Sequence, residues 1–446
     1  MFIKRLLIAA FTLSSVYTFA QNNIGTRYGN HNDLNASKYQ PSELDLGDRH
    51  GQIGFNYYLW MGNTAFDYKT SNDIYQTGEI NNKDIDKMIS RLSKNNLFGV
   101  GQDYQVLGVA FQLRTESDKR FDVSLSLVDK FALSFLYTDN FMKFALKGNK
   151  QFAGQTVNLG PTTVNLSHSR EYVVGTAFPI LGNEKTLGIR AGLRAKYIQG
   201  IAALYMPKGN ANMHTEKDGR YIDFSYDYDV YTSGLKNFSA FNFNGSGYGF
   251  DAGMTFYLGK NLQVVTSLLD VGSIYYNNNT TNYQNQGGSR YEGLVISNLF
   301  GNTRFESDSA QQVFQPNINQ NKSFRMPLGT KLCIEGEIKT PRIGKDDREF
   351  VSNAIFFTYI QGFNNMPGAT TRPFFSVGYN HDFHRVFDGG IMGSIGGFNR
   401  YGLGAFLTLK LGKSVKFGLS SDNLVAFVMP EYGTGIDVAT NFSISF

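Results

Sequence analysis

Apolar side chains recur at every second position along most of the chain after residue 50, with mostly small or polar residues between them. Residues 248–258 carry them at even numbers and residues 401–411 at odd numbers, with Phe406 as the exception in the second run. This period of two is that of a β-strand with two different faces. The runs are about ten residues long, as a tilted strand needs to cross a bilayer, whereas strands in soluble proteins average about five or six. The pattern therefore predicts membrane-spanning strands.

Sixteen such runs can be distinguished, although two closely spaced runs can also be one bent strand. Bacterial single-chain barrels have even strand numbers. We therefore predict an all-β fold, a transmembrane antiparallel β-barrel of about 14 strands, with 12 or 16 as the alternatives. The runs are residues 53–61, 103–114, 119–129, 130–138, 171–181, 186–206, 219–229, 246–258, 262–275, 324–340, 350–361, 372–382, 388–396, 401–411, 414–421 and 435–446.

The segments between the runs are of two kinds. Gly412-Lys413 and residues 259–261 predict tight turns, as expected at the periplasmic end of such a barrel. The long polar stretch 277–322 predicts an extracellular loop. Residues 62–102 predict another long loop, in which residues 81–95 have the spacing of a short amphipathic helix. We expect this helix to pack on a loop or in the barrel mouth, and binding to the membrane surface is the alternative.

The first residues have the pattern of a secretory signal peptide. Lys4 and Arg5 precede a short apolar stretch, and Thr18-Phe19-Ala20 supplies small residues at the positions that a signal peptidase reads. We expect residues 1–20 to be removed after Ala20. An uncleaved membrane anchor is the alternative, but the apolar stretch is too short to span about 30 Å of hydrocarbon.

Residues 21–50 are polar, lack alternation and precede the first strand. They form either a disordered leader or a segment folded into the barrel lumen. An empty barrel of this size is a water-filled channel, so a plug has a physical purpose. We therefore predict a plug in residues 21–50 and the barrel in residues 51–446.

Composition agrees with this picture and excludes some partners. Aromatic residues reach 15%, and charged residues make up 18%, below the quarter that is usual in soluble domains. The net charge of +5 falls by two when Lys4 and Arg5 are removed, which is too small to indicate a nucleic acid partner. The single cysteine, Cys333, cannot form an internal disulfide, and we expect it to pack as a small apolar residue.

The last strand carries a second export signal. Alternate residues from Ile436 to Phe446 share one apolar face, and the printed sequence stops on the aromatic residue. This arrangement resembles the signal that the barrel-assembly machinery recognises in outer-membrane proteins, with chance alternation as the alternative. We predict that Phe442, Ile444 and Phe446 form this signal and that the protein is located in the bacterial outer membrane.

Motifs for chemistry are weak. His381 and His384 have the spacing of a metal pair on a helix, but at a strand end we expect a solvated turn. Ser167 and His168 are adjacent, so on a strand they face opposite ways and cannot form a nucleophile–base pair. The glycines of residues 245–253 alternate with aromatic residues and predict a strand, not a nucleotide loop. We expect no enzymatic activity, metal or cofactor.

Four segments together resemble an uncharacterised Bacteroidetes outer-membrane family, known as domain of unknown function 5723. They are residues 196–205, 245–253, 267–272 and 326–331. That family is similar in plan to the long-chain fatty acid transporter (FadL-like) barrels, which implies 14 strands and an N-terminal hatch in the lumen. Asn-Pro-Ala is common in that hatch. Here the corresponding segment has Asn35, and later Pro41 followed by the small residue Ser42.

Three functions remain open at this stage. The first is a barrel that binds or transports a hydrophobic solute, which predicts an apolar pocket between plug and wall. The second is a non-transporting scaffold or accessory subunit of a secretion or assembly complex, which predicts a sealed lumen and exposed apolar loops. The third is a passive porin, which the expected scarcity of inward-facing charges disfavours. We expect outer-membrane lipid, the barrel-assembly machinery and either a hydrophobic ligand or a protein partner to bind the chain.

Overall fold

The computed structural model describes residues 23–29, 33–77, 82–114, 120–182, 187–236, 238–292, 316–343, 349–383, 386–412 and 414–446. The predicted signal peptide lies outside the described residues, as do His384, Lys413 and the central part of the predicted loop 277–322.

Nineteen strands and six α-helices lie in the described residues. The helices are α1 Ile24–Gly29, α2 Leu34–Ser37, α3 Tyr68–Thr77, α4 Asn82–Ser90, α5 Asp139–Lys147 and α6 Val425–Val428, with 3-10 turns at Pro41–Glu43 and Lys150–Phe152. The strands are β1 Gly51–Asn63, β2 Asn95–Arg114, β3 Arg120–Thr138, β4 Thr156–Asn158, β5 Thr163–Gly182, β6 Leu187–Thr215, β7 Ile222–Ser233, β8 Gly245–Leu258, β9 Leu262–Tyr276, β10 Thr280–Tyr291, β11 Asn317–Gln320, β12 Phe324–Pro327, β13 Lys331–Ile343, β14 Glu349–Gly362, β15 Phe374–Phe383, β16 Phe387–Gly396, β17 Tyr401–Leu411, β18 Val415–Ser421 and β19 Gly435–Ser445.

Fourteen of these strands form one closed antiparallel wall, which confirms the predicted fold class and strand number. Each wall strand pairs with the next wall strand along the chain, and β19 pairs with β1 to close the ring. The closing register extends from Gln52 opposite Ser445 to Gly62 opposite Gly435. A closed wall leaves no strand edge with unpaired amide groups, which is the condition for strands to cross a bilayer.

Two of the sixteen predicted runs do not add strands to the wall. Runs 119–129 and 130–138 are one strand, β3, because the apolar positions keep the same odd numbering on both sides of Asp129. Run 219–229 overlaps β7, which alternates like a wall strand but pairs with the distal part of β6 and with β10. Joining the first two of these runs into one strand and leaving out run 219–229 reduces the sixteen predicted runs to the fourteen wall strands observed.

The strands β4, β7, β10, β11 and β12 extend the sheet beyond the wall, at the end that carries the long loops, here termed the loop end. The polar stretch 277–322, which we predict to be an extracellular loop, contains regular strands. Residues 280–291 and 317–320 form β10 and β11 within it. These strands were missed because their Thr, Asn, Gln and Gly residues give no apolar alternation.

The predicted loop 62–102 is shorter than expected. β1 continues to Asn63 and β2 already begins at Asn95, while the predicted helix ends at Ser90. In the early part of β2, Gly99 and Gly101 leave the space that the indole of Trp60 occupies. Helix α4 packs through the buried Met88 in a cluster with Phe66, Tyr137 and Met142. It therefore packs on its neighbours at the loop end.

The outward face of the wall is apolar, and large side chains such as Leu193, Phe250 and Ile391 are exposed along it. Three tyrosines, Tyr172, Tyr197 and Tyr248, lie side by side on β5, β6 and β8, with ring centroids 6.2 and 5.8 Å apart. No helix in the described ranges has the length and hydropathy needed to cross a membrane.

The core lies inside the ring, between the wall and the N-terminal segment. Residues 23–29 and 33–46 are buried in the lumen, which confirms the predicted placement of this segment. Cys333 is buried there beside Ile24 and Tyr28. Gly192 on β6 lies directly against the backbone of Pro41 and Ser42, so a side chain at position 192 would overlap that backbone.

Replacing Gly192 by alanine should therefore displace the 3-10 turn at Pro41–Glu43 from the wall. We expect a loss of about 1–3 kcal/mol in the free energy of unfolding, the usual effect of overpacking a core. Denaturant unfolding of the purified protein measures it. Gly393→Ala is the matched control, because nothing lies within 4 Å of a Cβ at that wall position. Equal stability of the two variants would contradict the close packing at Gly192.

Candidate functional site

The N-terminal segment, residues 23–50, is termed the plug from here on. Its short helices are fixed by local polar contacts. The Asp33 carboxylate accepts a hydrogen bond from the amide of Asn35 at 3.0 Å and caps α2, while Ser37 Oγ donates to the Leu34 carbonyl at 2.7 Å. Pro41 then starts the 3-10 turn, where its fixed φ and missing N–H are tolerated. The plug thus has its own folded backbone.

Polar groups from many wall strands hold the plug. The carboxylate of Asp422 accepts hydrogen bonds from the backbone amides of Ile24 (2.8 Å) and Gly25 (3.1 Å). Arg27 forms a buried ion pair with Glu335 on β13. Further contacts are Ser443 Oγ to Asp33 Oδ2 (2.9 Å), Arg190 Nε to the Ser42 carbonyl (3.1 Å), Arg194 Nη1 to the Lys38 carbonyl (2.6 Å) and Gln263 Nε2 to Glu43 Oε1 (2.5 Å).

Apolar contacts complete the docking. The ring of Tyr28 stacks on Phe356 of β14 with centroids 3.7 Å apart, and its hydroxyl lies 3.2 Å from Thr358 Oγ1. Leu34 packs in a buried cluster with Ala110 of β2 and Ala177 of β5. Because these contacts reach opposite parts of the ring, the plug is attached around the lumen and not to one side of it.

The predicted plug residues lie in two separate places. Asn35 lies near the closing strand, and its Nδ2 is 3.4 Å from the Phe442 carbonyl. Pro41 and Ser42 lie across the lumen beside β6 and β8, where Ser42 Oγ accepts a hydrogen bond from Thr255 Oγ1 at 2.8 Å. The structure therefore does not bring these three residues into one site.

The predicted assembly residues lie on or directly after β19. Phe442 and Ile444 face outward, and the phenyl ring of Phe442 lies 6.4 Å from that of Phe55 on β1. The backbone of Phe446 exchanges two hydrogen bonds with Gly51, each 3.0 Å long. These residues are part of the closing seam of the wall, and their recognition by assembly machinery stays a prediction.

A cavity with a free volume of about 90 Å³, open to solvent, lies between the plug and the loop end. Its floor includes Arg27 and Tyr39 of the plug. Its roof is formed by residues 326–329 and by Pro367 and Gly368 of the loop 363–373. That loop crosses the mouth, because the carbonyl of Asn365 accepts hydrogen bonds from Ser134 Oγ on β3 and Asn165 Nδ2 on β5, both 3.3 Å long.

The lining of this cavity combines apolar and charged side chains. The apolar residues are Tyr58, Trp60, Ile274, Met326 and Leu328. The charged residues are Arg27, Asp103, Lys130, Glu171, Asp270 and Lys331. The predicted pocket between plug and wall is therefore present, but only part of its lining is apolar.

The expectation of few inward-facing charges was wrong. The inward-facing charged residues are spread over several wall strands and stand between Gly, Ser or apolar neighbours, so their proximity cannot be seen in any single run of the sequence. The closed ring brings them together as ion pairs. Lys130 Nζ lies 2.9 Å from Glu171 Oε1 and 3.5 Å from Asp270 Oδ1, Lys196 Nζ lies 2.7 Å from Asp251 Oδ1, and Lys38 Nζ lies 3.2 Å from Asp103 Oδ2.

Lys331 differs from the other cations of the cavity. Its Nζ donates to the Gly368 carbonyl of the roof at 3.3 Å, and no carboxylate of the described residues lies within ion-pair distance of it. It also lines a smaller cavity of about 30 Å³ that continues beside the plug and shares Asp103, Lys130, Glu171 and Asp270 with the main one. Lys331 thus lies where the two cavities meet, close to Asp103 and Asp270 but without a direct ion pair in the described residues.

Two sequence candidates for chemistry are separated by the wall. Ser167 lines the cavity, whereas His168 lies on the outward face with Nε2 2.8 Å from Asp129 Oδ1, as the strand argument predicted.

His381 lies within β15 and is half-buried, with Nδ1 2.5 Å from Asn353 Oδ1, so the predicted solvated turn was wrong. β15 is longer than expected because it pairs with β16 as far as Phe383. Residues 245–253 lie in β8, as predicted.

The sequence and structure can be compared with known proteins at this point. A family model described as a family of unknown function (DUF5723) matches residues 49–422. The chain belongs to this family. The DUF5723 match includes most of the wall and most of the cavity lining, and it begins just after the main part of the plug.

The solved structures that are similar to this DUF5723 protein include a toluene transporter and a FadL homologue. The toluene transporter TodX of Pseudomonas putida is 8% identical and has a TM-score of 0.44, with 96% of this chain and 95% of that chain covered. A FadL homologue of Pseudomonas aeruginosa is 10% identical with a TM-score of 0.41, and coverage is 96% and 98%. These scores are too low to bear on function. None of the curated proteins matches the chain in sequence.

Asp422, which holds the start of the plug, predicts a pH dependence of stability. Burial raises the pKa of its carboxyl from 3.8 to about 6, although the amides of Ile24 and Gly25 and the charge of Arg27 act in the opposite direction. The folded protein therefore binds this proton more tightly than the unfolded chain. Its contribution to stability is present at low pH and is lost as pH rises through about 6, by at most about 3 kcal/mol.

The free energy of unfolding at pH 4 and pH 7 tests this for Asp422→Asn. The variant cannot titrate, so it should lose less stability than the wild type between these two pH values. Asp218→Asn, in an exposed turn, is the control and should behave as the wild type. The same pH dependence in all three proteins would contradict the assignment to Asp422.

Proposed function

We propose that this protein is an outer-membrane barrel that binds a hydrophobic solute in the cavity between plug and roof and passes it along the lumen. The observation that carries the proposal is the group of apolar residues in the lining of that cavity, Trp60, Tyr58, Ile274, Met326 and Leu328. An apolar lining with a few placed polar groups is typical of small-molecule sites. The closed wall with its apolar outward face supports a location in the outer membrane.

The charged residues of the cavity restrict the class of solute. The carboxylates Asp103, Glu171 and Asp270 each form an ion pair with a lysine, whereas Lys331 forms no direct ion pair with any described residue. An ionised group on the solute gains most where it meets a partly desolvated charge of the opposite sign. The solute that fits best is therefore an amphiphile with an apolar chain against Trp60 and a single anionic group at Lys331.

Passage requires a route beside the plug, and the smaller cavity next to Lys38 and Lys196 provides its first part. The contact between Lys331 and the Gly368 carbonyl lies between this route and the roof. An anionic group bound to Lys331 would replace that contact, which would release one attachment of the loop 363–373. Binding and opening of the roof are then coupled through one side chain.

The sole tryptophan lies in this cavity, so its fluorescence reports binding directly. In lipid nanodiscs at pH 8, octanoate should change the Trp60 emission saturably and bind about tenfold or more tightly than octanamide or octylammonium. A tenfold ratio corresponds to about 1.4 kcal/mol, a modest value for one partly buried ion pair. Empty nanodiscs correct for partition into lipid.

Lys331→Met should remove the preference for octanoate and leave octanamide binding nearly unchanged. Lys208→Met is the control, because Lys208 lies on the distal part of β6 and pairs with Asp227. Absence of saturable binding for all three octyl compounds would overturn the solute-binding function. Equal binding of all three would overturn only the preference for an anion.

A scaffold function is the second candidate, favoured by one observation. Phe427, Val428, Met429 and Tyr432 around α6 are exposed at the loop end and form an apolar surface. A partner protein of a secretion or assembly complex would bury such a surface. Gentle purification in detergent distinguishes the two functions, since a stoichiometric protein partner without bound lipid favours the scaffold, and an isolated chain with bound amphiphile favours the solute-binding barrel.

A further inference from the structure

An aromatic segment, residues 238–243, lies on the outer surface of the wall. The Arg170 guanidinium donates to the Ala240 carbonyl at 3.4 Å, and Gln199 Nε2 donates to the Asn242 carbonyl at 3.1 Å. The imidazole of His168 stacks on the ring of Phe238, with centroids 5.6 Å apart. His168, Arg170 and Gln199 all share the outward side of β5 and β6 with Tyr172 and Tyr197, so the segment is held outside the ring.

The outward polar residues that hold the segment form a compensated cluster. Asp129 of β3 lies 2.8 Å from His168 Nε2 and 3.0 Å from Arg170 Nη2. Polar side chains on the lipid side of a barrel are costly in the hydrocarbon region and are tolerated near its boundary. The cluster therefore marks the height at which the apolar outward face ends on this side of the wall.

The row of Tyr172, Tyr197 and Tyr248 fixes that height independently. Arg170 is paired with Gln199, two residues nearer the loop end than the pair of Tyr172 and Tyr197. At about 3.3 Å per residue along the strand, the attachment of the segment lies about 7 Å beyond the tyrosine row. Tyrosines concentrate where hydrocarbon meets the headgroups, so the segment lies at the level of the headgroups.

The side chains of this segment are unusually exposed. Phe238, Phe241 and Phe243 have 58%, 85% and 48% of their surface accessible, within six residues. The hydrogen bonds to Arg170 and Gln199 hold the backbone of the segment against the wall. Three phenyl rings exposed to this extent would be unfavourable in water.

We propose that the aromatic segment is a membrane-contacting element, which inserts Phe238, Phe241 and Phe243 into the lipid leaflet at the loop end. The partner is lipid because the rings share their direction and level with the tyrosine row of the wall. The attachment to Arg170 and Gln199 sets their depth. The element gives this side of the barrel an additional anchor that the wall strands themselves do not provide.

Tryptophan fluorescence tests the proposal, because Trp60→Phe leaves a protein without tryptophan. In that background, Phe241→Trp reports the segment, Phe250→Trp reports the apolar outward face, and Ile318→Trp reports the sheet extension at the loop end. All three sites are exposed, so the substitutions leave the core unchanged. Vesicles of phosphatidylcholine with bromine on one acyl chain quench tryptophan in lipid, and aqueous iodide quenches tryptophan in water.

We expect bromolipid to quench Phe241→Trp at least half as strongly as Phe250→Trp, with little effect of iodide. Ile318→Trp should show the reverse. Adding Arg170→Ala to Phe241→Trp should reduce the bromolipid quenching by about half, because one attachment is lost. Quenching of Phe241→Trp by iodide, as in Ile318→Trp, would overturn the proposal. Protection from both quenchers would also overturn it, since the segment would then be covered by protein.

Discussion

The structure depends on one constraint, that backbone amides inside a bilayer must find their hydrogen-bond partners within the protein. The pairing of β1 with β19 satisfies it by closing the wall. Closure then creates two environments along every strand, since alternate side chains face either lipid or lumen. The lumen is too wide for wall side chains alone to fill, and the plug occupies the part that they leave.

Polar contacts between the plug and the wall hold the lumen together, in addition to the apolar packing that is usual in the core of a soluble protein. Arg27, Arg190 and Arg194 each combine an attachment of the plug with a carboxylate of the wall. A buried ion pair of this kind contributes little to stability by itself, but loss of one partner leaves a buried charge without compensation. The network therefore specifies one position of the plug more than it stabilises the barrel.

The sequence was sufficient for the wall and insufficient for the site. Period-two alternation identifies the strands because the two faces of each strand differ in polarity within that strand alone. The apolar positions on both sides of Asp129 are odd-numbered, which is consistent with the single strand β3. The ion network could not be predicted in this way, since Lys130, Glu171, Lys196, Asp251 and Asp270 come from five different strands. Only the closed ring makes them neighbours. The roof loop 363–373 was missed for the same reason, as its attachments to Ser134 and Asn165 cross the whole mouth.

The seam between the first and last wall strands has a further consequence for how the molecule is made. Helix α2 of the plug touches both sides of that seam, through the amide of Leu34 to Gln52 Oε1 and through Asn35 to the Phe442 carbonyl. The seam cannot form before β19 has been synthesised and delivered. The final position of α2 therefore depends on both seam strands, and these contacts of the plug are complete only when the cylinder is closed.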